Sequence, residues 1–356
     1  MSDNIFDRLA EMLASSDSVN WELAAELGTS IAGDEGALSP GSDAHWNEYV
    51  ETARHFLADV PGIRPQTDFE VHVVDRRQWT SAQVRGFEYL ATPLAEKLRE
   101  DPSNPMGALF SILVGLQVGS MAGSLSHRVM GNFEAALPPL SSSGLWLVAP
   151  NIEEFSTDHG LDSKQVDLWV ALNELIHASM FAMPGAPQRL RYLVSTYIEG
   201  LEFNPQALPM DPMAQGFDPE ELGRIVQDPS FLSDLFTGSH REEDLAEIQT
   251  FVAVVEGFPE YVLGSLDPKL LPELPALQEA IDRRRATPSA GEQFLQRLLG
   301  IDLEGPLHRA AAEFFAEIEQ RWGPDSAVRM WASTESFPHS HELEDPVAWA
   351  ARVLLP

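Results

Sequence analysis

The longest apolar stretch of the chain, MGALFSILVGLQVGSMAGSLSHRVM at residues 106–130, does most to limit what the chain can fold into. Gly107, Gly115, Gly119 and Gly123 are spaced so that another helix can approach this one closely. The stretch also contains Gln, Ser, His and Arg, which are costly in lipid, and charged residues flank it. These features predict a buried core helix and not a membrane span.

Most of the remaining sequence has the spacing of amphipathic helices. Ile5, Phe6, Leu9, Met12 and Leu13 predict a helix near the N-terminus. Further helices are predicted for HWNEYVETARHFLADV, for DSKQVDLWVALNELIHASMFAMPG, for REEDLAEIQTFVAVVEGFPEYVLGSL, and around residues 291–299 and 306–322.

Two short segments favour strands, and three others favour irregular structure. DFEVHVVDR (68–76) alternates and is rich in β-branched residues, and LWLVAPNI (145–152) is typical of a short buried strand. Residues 33–43 are rich in Gly, Ser, Pro and Asp, which predicts a loop. Residues 203–243 contain a Pro- and Met-rich irregular region, and we expect the final DPVAWAARVLLP to be an extended tail.

The charge balance excludes some partners without naming one. The chain has 55 acidic and 23 basic residues and a formal charge of −32. Such a surface repels nucleic acid and anionic membranes. The absence of cysteine excludes disulfides and thiolate metal sites. The first residues carry acids where a signal peptide has basic residues, so we expect a cytoplasmic protein.

The segment ALNELIHASMF (171–181) contains the pattern N-E-x-x-H, formed by Asn173, Glu174 and His177. One substitution separates it from H-E-x-x-H, in which two histidines one helical turn apart bind zinc and the glutamate takes a proton from bound water. The helix that carries it is predicted to begin after an N-cap at Asp162 or Ser163. Alone the pattern is weak, and His177 is also compatible with a hydrogen-bonded structural histidine.

Several ordered blocks resemble the Zincin_2 (DUF2342) family of presumed zinc-dependent metallopeptidases or hydrolases, a branch of which is associated with coenzyme F420 biosynthesis. The blocks are SHRVMGNFEAALP, LWLVAPNI, WVALNELIHASMF, VVEGFPEYVL and MWASTESFPHSHELEDPVAWAARV. The likeness runs from about residue 45 to the C-terminus. It implies a mainly α, zincin-like fold with minor β, built around the helix at 162–183, and a zinc cofactor in the family.

The resemblance also implies roles for individual residues. Family members read ALHEVTHxxQF and LEGHAD where this chain has ALNELIHASMF and VEGFPE. His177 and Glu256 then correspond to metal ligands and Glu174 to the general base, all vestigial here. Asn173 and Phe258 stand where the family has histidine, so Phe258 is expected to add apolar bulk near the metal position.

Other features of the second block and other histidines bear on the same site. Pro259 is expected to interrupt the helix where the family has alanine, whereas Glu260 lies four residues from Glu256 and can share its face. Another histidine is one possible source of a replacement ligand, although no spacing places one opposite His177. The candidates are His127, His159, His240, His308, His339 and His341.

We therefore expect one zincin-like domain over residues 1–356, with an N-terminal helical extension at 1–44 and an irregular insertion at 203–243. The N-terminal helices and the 106–130 segment should pack around the 162–183 helix, and the 245–265 helix should cross near His177. Two functions stay open. The first is a catalytically inactive protein, with zinc absent or weakly bound, that binds an unknown protein or peptide. The second is an active metal-dependent hydrolase or peptidase that uses Glu174, His177, Glu256 and a fourth, unidentified ligand.

Overall fold

A computed structural model describes most of the chain. It covers residues 18–33, 38, 41–60, 63, 69–99, 107–133, 137–140, 144–204, 228, 230–237, 242–300 and 306–355. The helix predicted at Ile5–Leu13 and most of the region predicted to be irregular at 203–243 lie outside these residues.

The fold is mainly helical with short strands, as the sequence predicts. The helices are α1 Trp21–Ala32, α2 Ser42–Leu57, α3 Arg76–Gln83, α4 Glu88–Leu98, α5 Gly107–Ser126, α6 Ala149–His159, α7 Ser163–Phe181, α8 Gly185–Glu199, α9 Phe231–Asp234, α10 Glu242–Ser265, α11 Leu274–Arg285, α12 Ala290–Leu299, α13 Pro306–Trp322, α14 Ser326–Met330 and α15 Pro346–Val353. The strands are β1 Val71–Val74, β2 Leu145–Val148, β3 Glu202–Phe203 and β4 Phe236–Thr237.

The C-terminal segment corrects one expectation, because it forms helix α15 and not an extended tail. Asp345 caps this helix by accepting a hydrogen bond from the backbone N–H of Ala348, and Pro346 occupies the first turn. Trp349 and Ala350 on one side of the helix are fully buried. Packing of this short apolar face against the core therefore stabilises an element too brief to show a clear sequence period.

Strands β1 and β2 form a parallel pair that lies beside the segment following α5. The register pairs Val71 with Leu145 and Val74 with Val148. The outer side of β2 also bridges to this segment, since Leu147 pairs with Gly131. The backbone N–H of Val148 donates to the oxygen of Met130 at 2.9 Å. The small sheet thus fixes the backbone of residues 130–131 next to α7.

Helix α7 occupies the centre of the fold and carries the N-E-x-x-H pattern. It begins after the N-cap Asp162, whose carboxylate accepts hydrogen bonds from the backbone N–H groups of Lys164 and Gln165. Every residue from Val166 to Met180 is buried. Its neighbours are α2, α6, α8, α10 and β2, so the expected contact with the 245–265 helix is confirmed.

Helix α5 packs mainly against α1, and α7 is not among its principal neighbours, contrary to our expectation. The glycines explain this contact. An added Cβ at Gly115, Gly119 or Gly123 would lie 2.5–2.6 Å from a backbone oxygen of α1 or its N-cap. The two backbones are therefore in direct contact. Within the described residues, Leu109–Ser126 has the length and the mean hydropathy (1.5) of a membrane span, but 83% of it is buried inside the fold.

Substitution of Gly119 by alanine is expected to lower the free energy of unfolding by about 1–3 kcal/mol, because a Cβ would lie 2.5 Å from the rigid backbone oxygen of Ala24. The matched control is Gly264→Ala in α10. A Cβ there meets nothing within 4 Å, so this change should stabilise the protein by about 0.5–1 kcal/mol. Urea denaturation measures both changes. A Gly119→Ala protein as stable as wild type would contradict the close α1–α5 contact.

Candidate functional site

His177 lies in the middle of α7 with 1% of its surface exposed. Its Nδ1 lies 2.9 Å from the backbone oxygen of Asn173, one helical turn earlier. Because a carbonyl oxygen only accepts hydrogen bonds, Nδ1 carries the proton and donates it. In the neutral ring Nε2 is then an acceptor, and it has no hydrogen-bond partner in the part of the chain that the structure describes. The ring therefore holds an unused lone pair.

The surroundings of His177 keep its ring neutral. Burial is the main cause of a lowered pKa, and the nearby Arg285 guanidinium lowers it further. The Glu256 carboxylate and the hydrogen bond to Asn173 act in the opposite direction but do not reverse the shift. The ring of Phe133 stacks parallel to the imidazole, with the centroids 5.9 Å apart. An apolar wall thus covers one face of the ring.

Glu174 points away from solvent and towards the backbone after α5. Its carboxylate is buried, and both oxygens accept from the backbone N–H of Phe133 at 3.3 Å. A Cβ on Gly131 would lie 2.2 Å from Glu174 Cδ, so only glycine leaves room for this carboxylate. Glu174 therefore holds the 131–133 segment against α7. Its assignment as a vestigial general base remains a prediction.

Glu256 on α10 forms an ion pair with Arg285 at the end of α11, and the Arg285 side chain is 33% exposed. Glu256 Oε2 accepts from an Arg285 Nη atom at 2.5 Å, and the Glu256 side chain is 8% exposed. The other carboxylate oxygen, Oε1, is buried and has no hydrogen-bond partner among the described residues. The second Nη of Arg285 lies 3.4 Å from Nδ1 of His308, which is buried on α13. Arg285 thus joins three helices at this point.

Three consecutive residues of the VEGFPE segment lie on three different faces of α10. Glu256 lines a cavity. Gly257 allows α13 to approach, because a Cβ there would lie 2.7 Å from the backbone oxygen of His308. Phe258 is 1% exposed and packs against Phe315 and Trp331, with ring centroids 4.8 and 5.2 Å away.

The position of Phe258 corrects the expectation that its ring fills the space near the metal position. Two residues along a helix turn the side chain by about 200°, so Phe258 faces the core while Glu256 faces the cavity. The expected interruption at Pro259 is also wrong, because α10 continues through it to Ser265. Pro259 and Glu260 both line the cavity, which places Glu260 on the same face as Glu256.

The cavity lies between α7, α10, α11 and the end of α5, and has a volume of about 280 Å³. Asn173 and Trp169 form its α7 wall. Its lining contains apolar side chains together with charged side chains of both signs. The lining residues are Leu125, Arg128, Val129, Trp169, Asn173, Glu256, Pro259, Glu260, Leu263, Gln278, Ile281, Asp282, Arg284, Arg285, Glu292 and Arg309. Such a mixture is typical of a small-molecule pocket.

The charged groups around the cavity are partly paired. Arg128 Nε lies 3.3 Å from a Glu292 oxygen, and Arg285 pairs with Glu256. Burial raises the pKa of Glu260, although the nearby Arg285 guanidinium opposes the rise. Acidic side chains on this wall are thus held in a less polar environment than water.

Among the described residues, the contacts of the candidate replacement histidines are with groups other than His177. Nε2 of His127 lies 3.0 Å from the backbone oxygen of Ile31, and His339 contacts Glu247. His159 packs on Phe155, and the ring of His341 stacks on that of His339. His308 reaches the site through Arg285. His240 lies outside the described residues.

A sequence profile of the zincin-like metallopeptidase family matches residues 19–350 of the chain. The protein belongs to this family. No curated protein matches it. A similar solved structure is the crystal structure of a presumed hydrolase with a novel fold from Chloroflexus aurantiacus. The two chains are 23% identical, the superposition covers 94% of this chain and 98% of that one, and the TM-score is 0.67. At this identity the likeness shows the fold alone.

The donor atoms of this zincin-like protein do not fit the zinc ion that the family implies. A zinc site needs at least three protein ligands, and the buried ligand atoms of the described site that lack a hydrogen-bond partner are Nε2 of His177 and Oε1 of Glu256. The described residues contain no group of three or more His, Asp or Glu side chains that could hold a metal. The Arg285 guanidinium also adds positive charge beside Glu256.

The arginines of the site have only a weak sequence signal. Arg283, Arg284 and Arg285 form a run at the end of α11, where basic residues commonly interact with the helix dipole. That reading gives no reason to single out Arg285. Its role depends on Glu256, 29 positions earlier in the chain, and such pairings are set by tertiary packing.

Substitution of Gly131 by alanine is expected to destabilise the zincin-like fold by about 1–3 kcal/mol, because the new methyl group and the Glu174 carboxylate would occupy the same space. Glu174→Ala removes that carboxylate but leaves the Phe133 N–H without an acceptor, so it also destabilises. The double variant should lose less stability than the sum of the two single changes. Additive losses in a denaturation double-mutant cycle would contradict this contact.

The pH dependence of stability should include a contribution from His177. Burial holds its folded-state pKa below the usual 6.5, so the unfolded chain takes up a proton first as the pH falls. The contribution of neutral His177 to the free energy of unfolding is fully present above about pH 6.5. It is lost as the pH falls further, by up to about 1.4 kcal/mol per pH unit. His177→Gln should flatten this part of the profile, measured by denaturation between about pH 7.5 and 5.5. Parallel profiles for the two proteins would contradict the assignment.

Proposed function

We propose that this protein keeps the zincin-like fold without zinc-dependent hydrolysis and acts by binding a ligand in the cavity beside α7. One observation carries the proposal: the buried Glu256 carboxylate, which corresponds to a metal ligand in the family, forms an ion pair with Arg285. An arginine side chain is always protonated in proteins. It therefore supplies the positive charge that the carboxylate would otherwise take from a metal ion.

The α7 wall of the cavity supports the same proposal. Asn173 lines the cavity at the position where the family resemblance places a histidine ligand. A neutral amide oxygen is a poor zinc ligand compared with an imidazole nitrogen. A Zn²⁺ ion bound to Glu256 would also lie near the Arg285 guanidinium, and the repulsion between these charges is strong where little water screens it. Both features weaken zinc binding.

The position of Glu174 argues against a conventional general base. Its carboxylate does not line the cavity, and both oxygens accept from the backbone N–H of Phe133. A general base has to reach the water whose proton it takes. In this protein Glu174 anchors the backbone above α7, which is a structural task.

A binding role agrees with the shape and lining of the cavity. Apolar side chains such as Trp169, Leu263 and Ile281 provide contact area, and charged groups between them provide directed contacts. The formal charge of −32 disfavours nucleic acid as the partner. A small molecule or a peptide segment fits better.

An active metal-dependent hydrolase using Glu174, His177, Glu256 and a further ligand is the second candidate. One observation favours it: the Nδ1–H of His177 donates to a backbone carbonyl and Nε2 is unused, an arrangement common for metal-binding histidines. The metal content of the protein separates the two candidates.

We expect the wild-type protein to bind much less than one equivalent of zinc after dialysis against trace Zn²⁺, as measured by inductively coupled plasma mass spectrometry. The Asn173→His/Arg285→Gln variant should bind close to one equivalent, because it supplies a third ligand and removes the competing charge. The matched control, Asn173→His/Arg284→Gln, changes the adjacent arginine, which does not pair with Glu256, and should bind zinc more weakly. One equivalent of metal in the wild-type protein would overturn the proposed function.

A further inference from the structure

Two buried acceptor atoms have no donor among the described residues: one belongs to Glu256, which lines the cavity, and the other to His177, one helical turn after the cavity-lining Asn173. Oε1 of Glu256 and Nε2 of His177 each have no hydrogen-bond partner among the described residues. They belong to α10 and α7, which are in contact, and the two groups are near enough to influence each other electrostatically. Nε2 is an acceptor because Nδ1 donates to the Asn173 carbonyl.

Buried acceptors without donors are costly, so this pair favours an occupant that donates hydrogen bonds. An occupant with one positive charge is favoured at Oε1 because this atom belongs to a carboxylate, and its repulsion from Arg285 is about half that of a doubly charged Zn²⁺ ion. Arg285 contacts the other oxygen of that carboxylate and leaves Oε1 to a second donor. Glu260 and Asp282 add acidic groups to the same cavity lining, which also carries Arg128, Arg284, Arg285 and Arg309.

The chemical group that meets these conditions is a primary ammonium. It has three N–H donors, no acceptor, and a compact shape that can reach two acceptors at once. The remaining lining indicates what the group is attached to. Trp169, Leu263 and Ile281 provide an apolar surface that suits a hydrocarbon body, and the cavity volume of about 280 Å³ suits a molecule of a few carbons.

We propose that the cavity binds a small molecule or peptide end whose primary ammonium group occupies the space between Glu256 Oε1 and His177 Nε2 and whose apolar body lies against Trp169 and Leu263. This inference rests on the proposed function, because it needs the space to be free of metal. A free aliphatic amine and the amino terminus of a peptide share this chemistry.

Isothermal titration calorimetry of the full chain tests the proposal with three probes. L-leucinamide represents a peptide amino terminus, 3-methylbutylamine represents a free amine, and N-acetyl-L-leucinamide keeps the apolar body without the ammonium. At least one of the two amines should bind with a Kd of about 1 mM or tighter, and the acetylated probe should bind at least about tenfold more weakly. Binding of L-leucinamide alone identifies the peptide end as the source, and binding of 3-methylbutylamine alone identifies the free amine. Absence of binding by both amines, or equal binding of the acetylated probe, overturns the proposal.

A pair of variants locates the bound ammonium. Glu256→Gln removes the charge at the unpartnered acceptor and should weaken amine binding at least about tenfold. Glu279→Gln removes the same charge from an exposed position on α11 outside the cavity lining, where the carboxylate pairs with Arg283, and should leave binding within about twofold of wild type. Thermal melts establish that both variants are folded. Equal weakening by both variants would contradict a site at Glu256, and the probe comparison on wild-type protein is independent of either variant.

The metal content of the titrated sample separates failure of this inference from failure of the proposed function. Metal-free protein that binds neither amine overturns only the ammonium site. Protein that holds one equivalent of metal overturns the proposed function, whatever the titration gives. Metal-free protein that binds amine and loses this binding in Glu256→Gln supports both.

Discussion

Helix α7 is enclosed by protein from Val166 to Met180, and it still carries Asn173, Glu174 and His177. In such surroundings each polar group needs an internal partner, because leaving one unpaired costs about 1–3 kcal/mol. The Glu174 carboxylate accepts a hydrogen bond from the Phe133 N–H, and Nδ1 of His177 donates one to a backbone carbonyl of the same helix. Nε2 of His177 has no hydrogen-bond partner among the residues that the structure describes. The burial that fixes the helix in the core therefore also creates unused hydrogen-bonding capacity beside the cavity.

In the function we propose, the Arg285–Glu256 pair balances charge at a position where the family resemblance implies a metal ligand. A buried carboxylate needs a counter-charge, but a guanidinium from a neighbouring helix meets that need as well as an ion does. Once the arginine is in place, the carboxylate also stabilises contacts among α10, α11 and α13. A glutamate at a family ligand position is then insufficient reason to infer a metal, since packing alone is enough to retain it.

The helices of this protein were predictable wherever apolar residues recur over several turns, as in α2, α7, α10 and α13. Helix α15 was missed because its eight residues give too short a period, and burial of Trp349 decides its conformation. Within the site, the proximity of Glu256 to α7 was implied by the family resemblance, whereas the direction of the Phe258 side chain was not. Because Phe258 aligns with a family histidine, its side chain was expected to lie near the cavity. Its position on the helix instead directs the ring into the core. Arg285 could not be found in advance, because its partner lies on another helix.

The direct contact between the backbones of α1 and α5 has a consequence for how the chain folds during synthesis. Asn20 lies against Gly115, so the partner of α1 emerges from the ribosome about 95 residues after it, which takes at least several seconds at ordinary rates of synthesis. During this interval the face of α1 that α5 later covers, including Ala24 and Gly28, is left exposed. The contact is non-local, and at three glycines of α5 it brings one backbone directly against the other. The packing of α1 is therefore completed only after α5 has been synthesised.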